Sequence, residues 1–248
     1  MRFLTDFLYL VAVVITSPIW FTRMALRGKL RTDWWGRLGH VSKRPGEAQH
    51  RILLHAVSVG EVNALRSLVL GLEQIQDMDV VIATTTDTGF SRARELYGHA
   101  HLVVRYPLDF SWSVNGFLRS IRPTAVALVE LEVWPNFVAA CGRRGIPVAV
   151  INGRLSARSF ARYRLLRGRL RPSFRRLSWI GCQTKDYATR FRKMGCAADR
   201  IDVTGSMKWD NTVLPLEGAE QLAAELGIDP TRPLIVAGST APEEHELL

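Results

Sequence analysis

From residue 51 onward, short apolar runs rich in β-branched residues alternate with longer amphipathic stretches, and this alternation narrows the fold more than any other feature. The runs cover 51–56, 79–84, 102–104, 124–129, 147–151, 179–182 and 201–203. They do not alternate apolar with polar residues, so each strand is expected to be covered on both faces, as in a parallel sheet. Helical periodicity falls between them, at 61–74, 91–97, 111–121, 135–144, 157–171 and 185–194, with Pro172 expected to kink or divide the helix it follows. Strand and helix taking turns in this way predict an α/β domain built on a doubly wound parallel sheet.

Ahead of that body, residues 3–22 are almost wholly apolar, about the 20 residues that a bilayer core requires. Asp6 lies near the start of the segment and Pro18 near its end, with Trp20 and Phe21 at the expected interface. Arg23, Arg27, Lys29, Arg31 and Arg37 follow it, against Arg2 alone before it, so the rest of the chain is expected on the cytoplasmic side. The basic flank and the lack of a small-x-small site argue against a cleaved signal peptide. A buried core helix is the other alternative. The reading adopted is an uncleaved membrane anchor over 1–28, its depth left open because Asp6 and Pro18 also suit a segment embedded in one leaflet.

The body is expected over 29–210. Residues 211–248 then hold a helical stretch at 219–226, the turn Asp229–Pro230, a new strand at 234–237, Gly238-Ser239-Thr240 and a helix start at Glu243. These are expected to be the opening βα unit of a second domain, cut short at Leu248.

Charge and cysteine content restrict the function classes. A net charge of +10 calls for an anionic partner. Between Glu132 and Asp186 there is no acid, while arginines recur from Arg143 to Arg176 with Tyr163, Leu166, Leu170, Phe174 and Leu177 at helical spacing. A solvated face mixes signs, so a basic amphipathic stretch beside an anchor points to anionic lipid headgroups. No nucleic-acid motif accompanies it. Cys141, Cys182 and Cys196 form no CxxC pair and read as small buried hydrophobes in a reducing compartment. The histidines are scattered without ligand spacing, so no metal site is expected.

Working groups in open α/β sheets lie in loops at the carboxyl ends of strands. Ser58, Gly60 and Glu61 follow the first strand: Gly60 allows close backbone approach, and Glu61 is either a favourable first-turn acid or a catalytic base. Thr85, Thr88 and Gly89 lie in a hydroxyl-rich loop suited to sugar hydroxyls or phosphate, though turns favour such residues anyway. Glu130 and Glu132 sit just past an apolar strand, where burial of either demands pairing or protonation. Ser206 and Lys208 follow Gly205, placing a cation where it can meet developing negative charge. No GxGxxG follows the first strand, which counts against a nucleotide-cofactor oxidoreductase.

Taken together, HAVSVGE at 55–61, TTTDTG at 84–89, YPLD at 106–109, ELEVWPN at 130–136, INGRLSARS at 151–159 and VTGSMKWD at 203–210 resemble one family. It is the 3-deoxy-D-manno-octulosonic acid (Kdo) transferases of lipopolysaccharide synthesis. The resemblance implies a GT-B glycosyltransferase of two Rossmann-like domains. The amino-terminal one takes a phosphorylated lipid A precursor and the other takes CMP-Kdo, at the cytoplasmic face of the inner membrane. It implies inverting transfer without a metal or other cofactor, Glu61 as proton acceptor, and Glu130 and Lys208 as stabilisers of the transition state. Arg154 and Arg158 would hold acceptor phosphates. Asp87 stands where the family commonly has Pro, Phe90 where it has a small polar residue, and Ala241 where His is frequent. Most family contacts to CMP would lie beyond Leu248, so this chain alone is expected to bind donor poorly. The alternative is a non-catalytic fragment that binds anionic lipid.

Overall fold

The computed structural model describes residues 2–26, 32–41, 48–211, 218–229, 231–234 and 236. They fall into two compact units, Met1–Asn211 and Thr212–Leu248.

Among its described residues the first unit is built on seven strands: β1 (His50–Ala56), β2 (Met78–Thr84), β3 (Leu102–Arg105), β4 (Ala125–Val129), β5 (Val148–Gly153), β6 (Trp179–Cys182) and β7 (Ile201–Val203). They join in the order β3-β2-β1-β4-β5-β6-β7. Every pairing is parallel. The chain builds outward from β1 to one edge, then returns and builds from β4 to the other. Loops after β1 and β4 therefore diverge, leaving a crevice at the carboxyl edge of the sheet.

Among the described residues ten α-helices belong to this unit: α1 (Arg2–Leu26), α2 (Trp34–Arg37), α3 (Val59–Ala64), α4 (Arg66–Glu73), α5 (Asp87–Tyr97), α6 (Ser111–Ile121), α7 (Pro135–Arg143), α8 (Ala157–Leu165), α9 (Arg167–Phe174) and α10 (Lys185–Met194). Neighbouring strand residues feed opposite cores, as a doubly covered sheet requires. Leu54, Ile82 and Val129 meet Val62, Leu65, Val69, Ala93 and Tyr97 from α3 to α5. Leu53, Val81, Leu128 and Val150 meet Phe117, Phe137, Phe174 and Phe191 from α6, α7, α9 and α10. Each of those phenylalanines is fully buried, worth roughly 2–3 kcal/mol apiece by transfer. Cys141, Cys182 and Cys196 are buried free thiols, in line with their reading as hydrophobes, and burial pushes them up to about 12, 11 and 12.

Hydroxyls start the helices at the carboxyl edge. Ser58, Thr86, Ser156 and Thr184 cap α3, α5, α8 and α10, each accepting the amide three residues on. Three expectations need correction. The helix expected over 61–74 is two, joined by a tightened turn at Leu65, whose amide bonds to the Val62 carbonyl. The helix expected at Ser91 begins four residues earlier, at Asp87, because Thr86 is its cap. The helix expected over 157–171 divides at Leu166 (φ −102°, ψ 12°), while Pro172 sits inside α9. The carbonyl that Pro172 crowds belongs to Gly168, in the first turn of α9, where no side chain hinders adjustment.

The expected amino-terminal helix forms as α1 and docks on α6 and α7. Its single acid is the reason. Asp6 accepts from the Ser111 amide (2.9 Å), from the Ser111 hydroxyl and from Asn136 Nδ2 (2.8 Å), so it caps α6 from another element. One turn on, the Tyr9 hydroxyl donates to Asp109 (3.0 Å). Asp109 in turn accepts the first amides of α7, from Asn136 (3.0 Å) and Phe137 (2.8 Å). Away from this seam Phe7, Leu10, Val14, Ile15 and Ile19 are exposed. Among the described residues no helix is long and apolar enough to cross a membrane. Of the expected basic flank, Arg27, Lys29 and Arg31 lie outside the described residues, as does the side chain of Arg23. Arg37 does not act as a free flanking charge. It is turned inward onto Asp87 and Thr32.

The departures from the family pattern at Asp87 and Phe90 prove to be one feature. Asp87 pairs with Arg105 (2.7 Å) and Arg37 (3.4 Å), and the Arg105 guanidinium lies 4.1 Å over the Phe90 ring. An aromatic and an acid thus solvate a buried arginine.

In the second unit α11 (Ala219–Glu225) forms where a helix was expected. Of the strand expected at 234–237, Leu234 and Val236 are described and are not in a strand, residues 235 and 237 lie outside the described residues, and Gly238-Ser239-Thr240, Ala241 and Glu243 lie wholly outside them.

Candidate active site

The crevice between the β1 and β4 loops collects carboxylates. Glu61, in the first turn of α3, is half-buried and held by its own loop. The Val57 amide donates to Oε2 (2.8 Å) and the Ser58 hydroxyl to Oε1 (2.9 Å). Ser58 accepts the Glu61 amide in return (3.4 Å), which makes the pair a variant of the capping box. Each carboxylate oxygen keeps a second lone pair. Burial lifts the Glu61 carboxyl above its ordinary range and the charge of Glu130 adds to the rise, while the Val57 and Ser58 donors oppose it.

Glu130 enters the crevice from the end of β4 with φ at +61°, a conformation that costs a non-glycine residue about 1 kcal/mol or more. Its amide still bonds to the Ile151 carbonyl (3.0 Å), so the β4–β5 ladder carries the strained residue. Two residues on, Glu132 accepts from Trp134 Nε1 (2.9 Å). Burial raises its carboxyl too, with Glu61 and Glu130 contributing. Burial and the neighbouring acids thus favour the protonated forms of Glu61 and Glu132. Tyr163 of α8 is near enough to Glu132 for that charge to reinforce the rise that burial gives its hydroxyl.

Lys208 approaches from the β7 side. With Gly60, Asn63, Arg66 and Arg92 it lines a cavity of about 300 Å³ beside the start of α3. Arg92 is committed to Asn63 (2.8 Å) and Glu95 (2.7 Å). The loop bearing Lys208 is tied by Asn152 of β5, whose Oδ1 accepts the Met207 amide (3.2 Å), and the Lys208 amide bonds to Ser206 Oγ (3.4 Å). Asn152 is buried and left-handed (φ +52°).

The other expected residues take several roles. Gly60 sits in ordinary helix, where a Cβ would meet Ser58 Oγ at an unstrained 4.0 Å, so nothing in the fold itself demands glycine there. Gly89 is demanded by packing: a Cβ would stand 2.8 Å from the Val57 carbonyl and from Thr86 Oγ1. Thr85 points inward, its hydroxyl 3.0 Å from Nε2 of His55. That imidazole is stacked on Tyr106, and burial pulls it down to about 3. Thr88 is exposed on α5, and Arg154 and Arg158 are exposed beyond β5. Neither arginine bonds to the glutamates among the described residues.

Sequence reasoning passed over Thr86, Asn152 and Tyr163. Thr86 caps α5 and donates to the Val57 carbonyl (2.6 Å), so it fastens the β2 loop to the loop of Glu61. A cavity of about 710 Å³ between residues 38–41 and α6 contains none of the candidates. The crevice, where titratable groups converge at a topological switch, is the better site.

What these groups can do together is take a proton from a hydroxyl at Glu61 and meet anionic charge at Lys208. Comparison with known proteins identifies the family. A family model described as 3-deoxy-D-manno-octulosonic-acid transferase (kdotransferase) matches residues 32–211. The chain is 30% identical over 240 residues to the 3-deoxy-D-manno-octulosonic acid transferase of Haemophilus influenzae, covering 94% of this chain and 53% of that protein. To the Bordetella pertussis transferase it is 32% identical over 240 residues, covering 92% and 54%. It thus spans about half the length of these curated relatives. A solved structure described as a UDP-N-acetylglucosamine 2-epimerase from Listeria monocytogenes shares the fold at TM-score 0.50 and 13% identity, over 71% of this chain and 51% of that one.

Proposed function

The chain belongs to the 3-deoxy-D-manno-octulosonic acid (Kdo) transferase family, and on that premise we propose that residues 29–210 are the acceptor half of a GT-B Kdo transferase. The donor is CMP-Kdo and the acceptor is a phosphorylated lipid A precursor. Residues 211–248 begin the donor half, and the complete enzyme needs the remainder of that half to bind CMP.

The observation that carries this reading is the Glu61 carboxylate, held at the switch point by Ser58 and Val57 with its proton affinity raised by burial and by Glu130. A base works best when its pKa approaches the working pH, and an ordinary exposed glutamate lies too low. In the proposed step Glu61 takes the proton of the acceptor hydroxyl as its oxygen attacks the anomeric carbon of Kdo. The bond from that carbon to the CMP phosphate breaks on the opposite face, so configuration inverts and CMP departs with the electron pair. Glu130 and Glu132 favour positive charge developing on the sugar. Lys208 favours the negative charge gathering on the phosphate.

The exposed apolar side of α1 is the support for a place on the inner membrane, at its cytoplasmic face. Val14, Ile15 and Ile19 are 61%, 70% and 60% exposed, on a helix whose other side is fixed to the domain. A strip of that size calls for a non-aqueous neighbour.

The test is Kdo transfer from CMP-Kdo by the full-length enzyme and by its Glu61→Gln and Glu61→Ala variants. Loss of the base is expected to lower kcat about 10²–10⁴-fold. Equal transfer by all three would remove Glu61 from the mechanism. The exposed apolar side of α1 also suits a second reading, a lipid-binding module without catalysis. Absence of transfer even by the unsubstituted full-length protein would select it.

A further inference from the structure

A cleft of about 270 Å³ opens between α1, α7 and α9, away from the carboxylates of the crevice. It exists because the facing residues are small or rigid. Ala139 of α7 and Gly168, Pro172 and Ser173 of α9 leave space that larger side chains would fill. Leu8 of α1 and Pro135 of α7 complete apolar walls. Arg143, Arg169 and Arg176 line the same cleft. Arg176 is set in place by donating to the Pro172 carbonyl (2.8 Å) and running along Gly142. None of the three has an ion-pair partner among the described residues, and no acid occurs in the sequence from 133 to 185. A second cavity shares Gly168, Pro172 and Arg176 with the first and adds Arg171 and Arg175, so the cationic lining continues along α9.

We propose that this cleft binds the headgroup of an anionic phospholipid, with phosphate on Arg143, Arg169 and Arg176 and the first carbons of an acyl chain along Leu8, Pro135 and Ala139. Three facts favour that occupant. Guanidinium groups match phosphate oxygens with paired donors. The apolar walls beside them suit a ligand that is anionic at one end and hydrocarbon at the other. The cleft also adjoins α1, whose exposed apolar side defines where hydrocarbon would begin. The proposal rests on the reading of α1 as a membrane-surface helix, and the experiment separates the two.

Binding of the full chain to phosphatidylcholine vesicles with and without phosphatidylglycerol is measured by flotation. Arg143→Gln, Arg169→Gln and Arg176→Gln combined are expected to weaken binding to the phosphatidylglycerol vesicles about 100-fold, near fivefold for each charge. A matched triple on outer helices, Arg94→Gln, Arg192→Gln and Lys193→Gln, is expected to cost less than about fivefold, through diffuse attraction alone. Ala139→Leu fills the cleft without changing charge and is expected to weaken phosphatidylglycerol binding while phosphatidylcholine binding holds. It also decides the matter if circular dichroism shows that the cleft triple does not fold. Equal losses from the two triples, unchanged binding by Ala139→Leu, or release by inorganic phosphate at matched ionic strength would each overturn the cleft as a headgroup site. Failure of the unsubstituted chain to bind either vesicle would overturn the membrane reading and the cleft with it.

Discussion

Replacing Asp6 by alanine is expected to loosen α1 from the domain while leaving the sheet folded. The Asp6 carboxylate receives the Ser111 amide, the Ser111 hydroxyl and Asn136 Nδ2, and so closes the amino end of α6. Loss of a helix cap costs about 1 kcal/mol, and a hydrogen bond to a charged group about 1.5–3 kcal/mol. Part of this is recovered when the freed donors reach water, so roughly 3 kcal/mol is a reasonable sum for the docking equilibrium. That figure corresponds to about a 150-fold larger open population. Hydrogen exchange read by mass spectrometry follows it peptide by peptide. Peptides from α1 and from the first turn of α6 should exchange about 100-fold faster in the variant, while those from β1 and β2 keep their protection. Asp6→Asn retains an acceptor and should fall between. If α1 exchanges at its original rate in Asp6→Ala, the carboxylate is not what holds the helix. If every peptide accelerates together, α1 is part of the global fold rather than a docked element.

Asp109 gives a pH signature. Burial lifts its carboxyl to about 7, against about 4 when unfolded. Between those values the folded protein holds a proton that the unfolded chain does not, so stability falls as pH rises, by about 1.4 kcal/mol per unit at the steepest. Asp109→Asn should flatten that contribution in urea unfolding compared at about pH 5 and about pH 6.5, and unchanged slopes would contradict the assignment. Asp87 acts in the opposite sense. Burial disfavours its charge, but Thr32, Arg105 and Arg37 outweigh it and hold the carboxyl below its ordinary range. Its stabilisation is therefore present above about pH 4 and lost as pH falls through the lowered value. Asp87→Ala leaves the Arg105 side chain, 7% exposed, without its acid, at a cost of about 3 kcal/mol in thermal or urea unfolding near neutral pH. Ser58→Ala removes a donor from Glu61 and should move the acidic limb of the transfer–pH profile upward, and a stationary limb would deny Ser58 that influence.

The strands were legible because a fully covered strand needs uninterrupted apolar residues, and little else in the chain has that pattern. Helix starts were less so. Placing the helix at Ser91 hid the meaning of Thr86: in a run of threonines only the true cap accepts its third following amide, and that depends on where the helix begins. Glu61, Glu130 and Glu132 were recognisable as acids next to apolar strands, but their mutual influence comes from the β1–β4 pairing, which no local pattern encodes. Asp6 was visible as an acid in an apolar segment. Its partners lie 105 and 130 residues away, so its purpose emerged only in three dimensions. Asn152 gave no periodic signal, since its work depends on a left-handed backbone at the end of β5.

Asn152 also settles what governs the height of Lys208 above the sheet. The strand that delivers the lysine, β7, has three residues and forms an edge, where fraying comes easily. Because the Met207 amide hangs from a side chain on β5, two strands inward, loosening of that edge need not shift the backbone that carries Lys208. That backbone takes its station from the interior of the sheet, and sequence change along the margin can proceed without disturbing it.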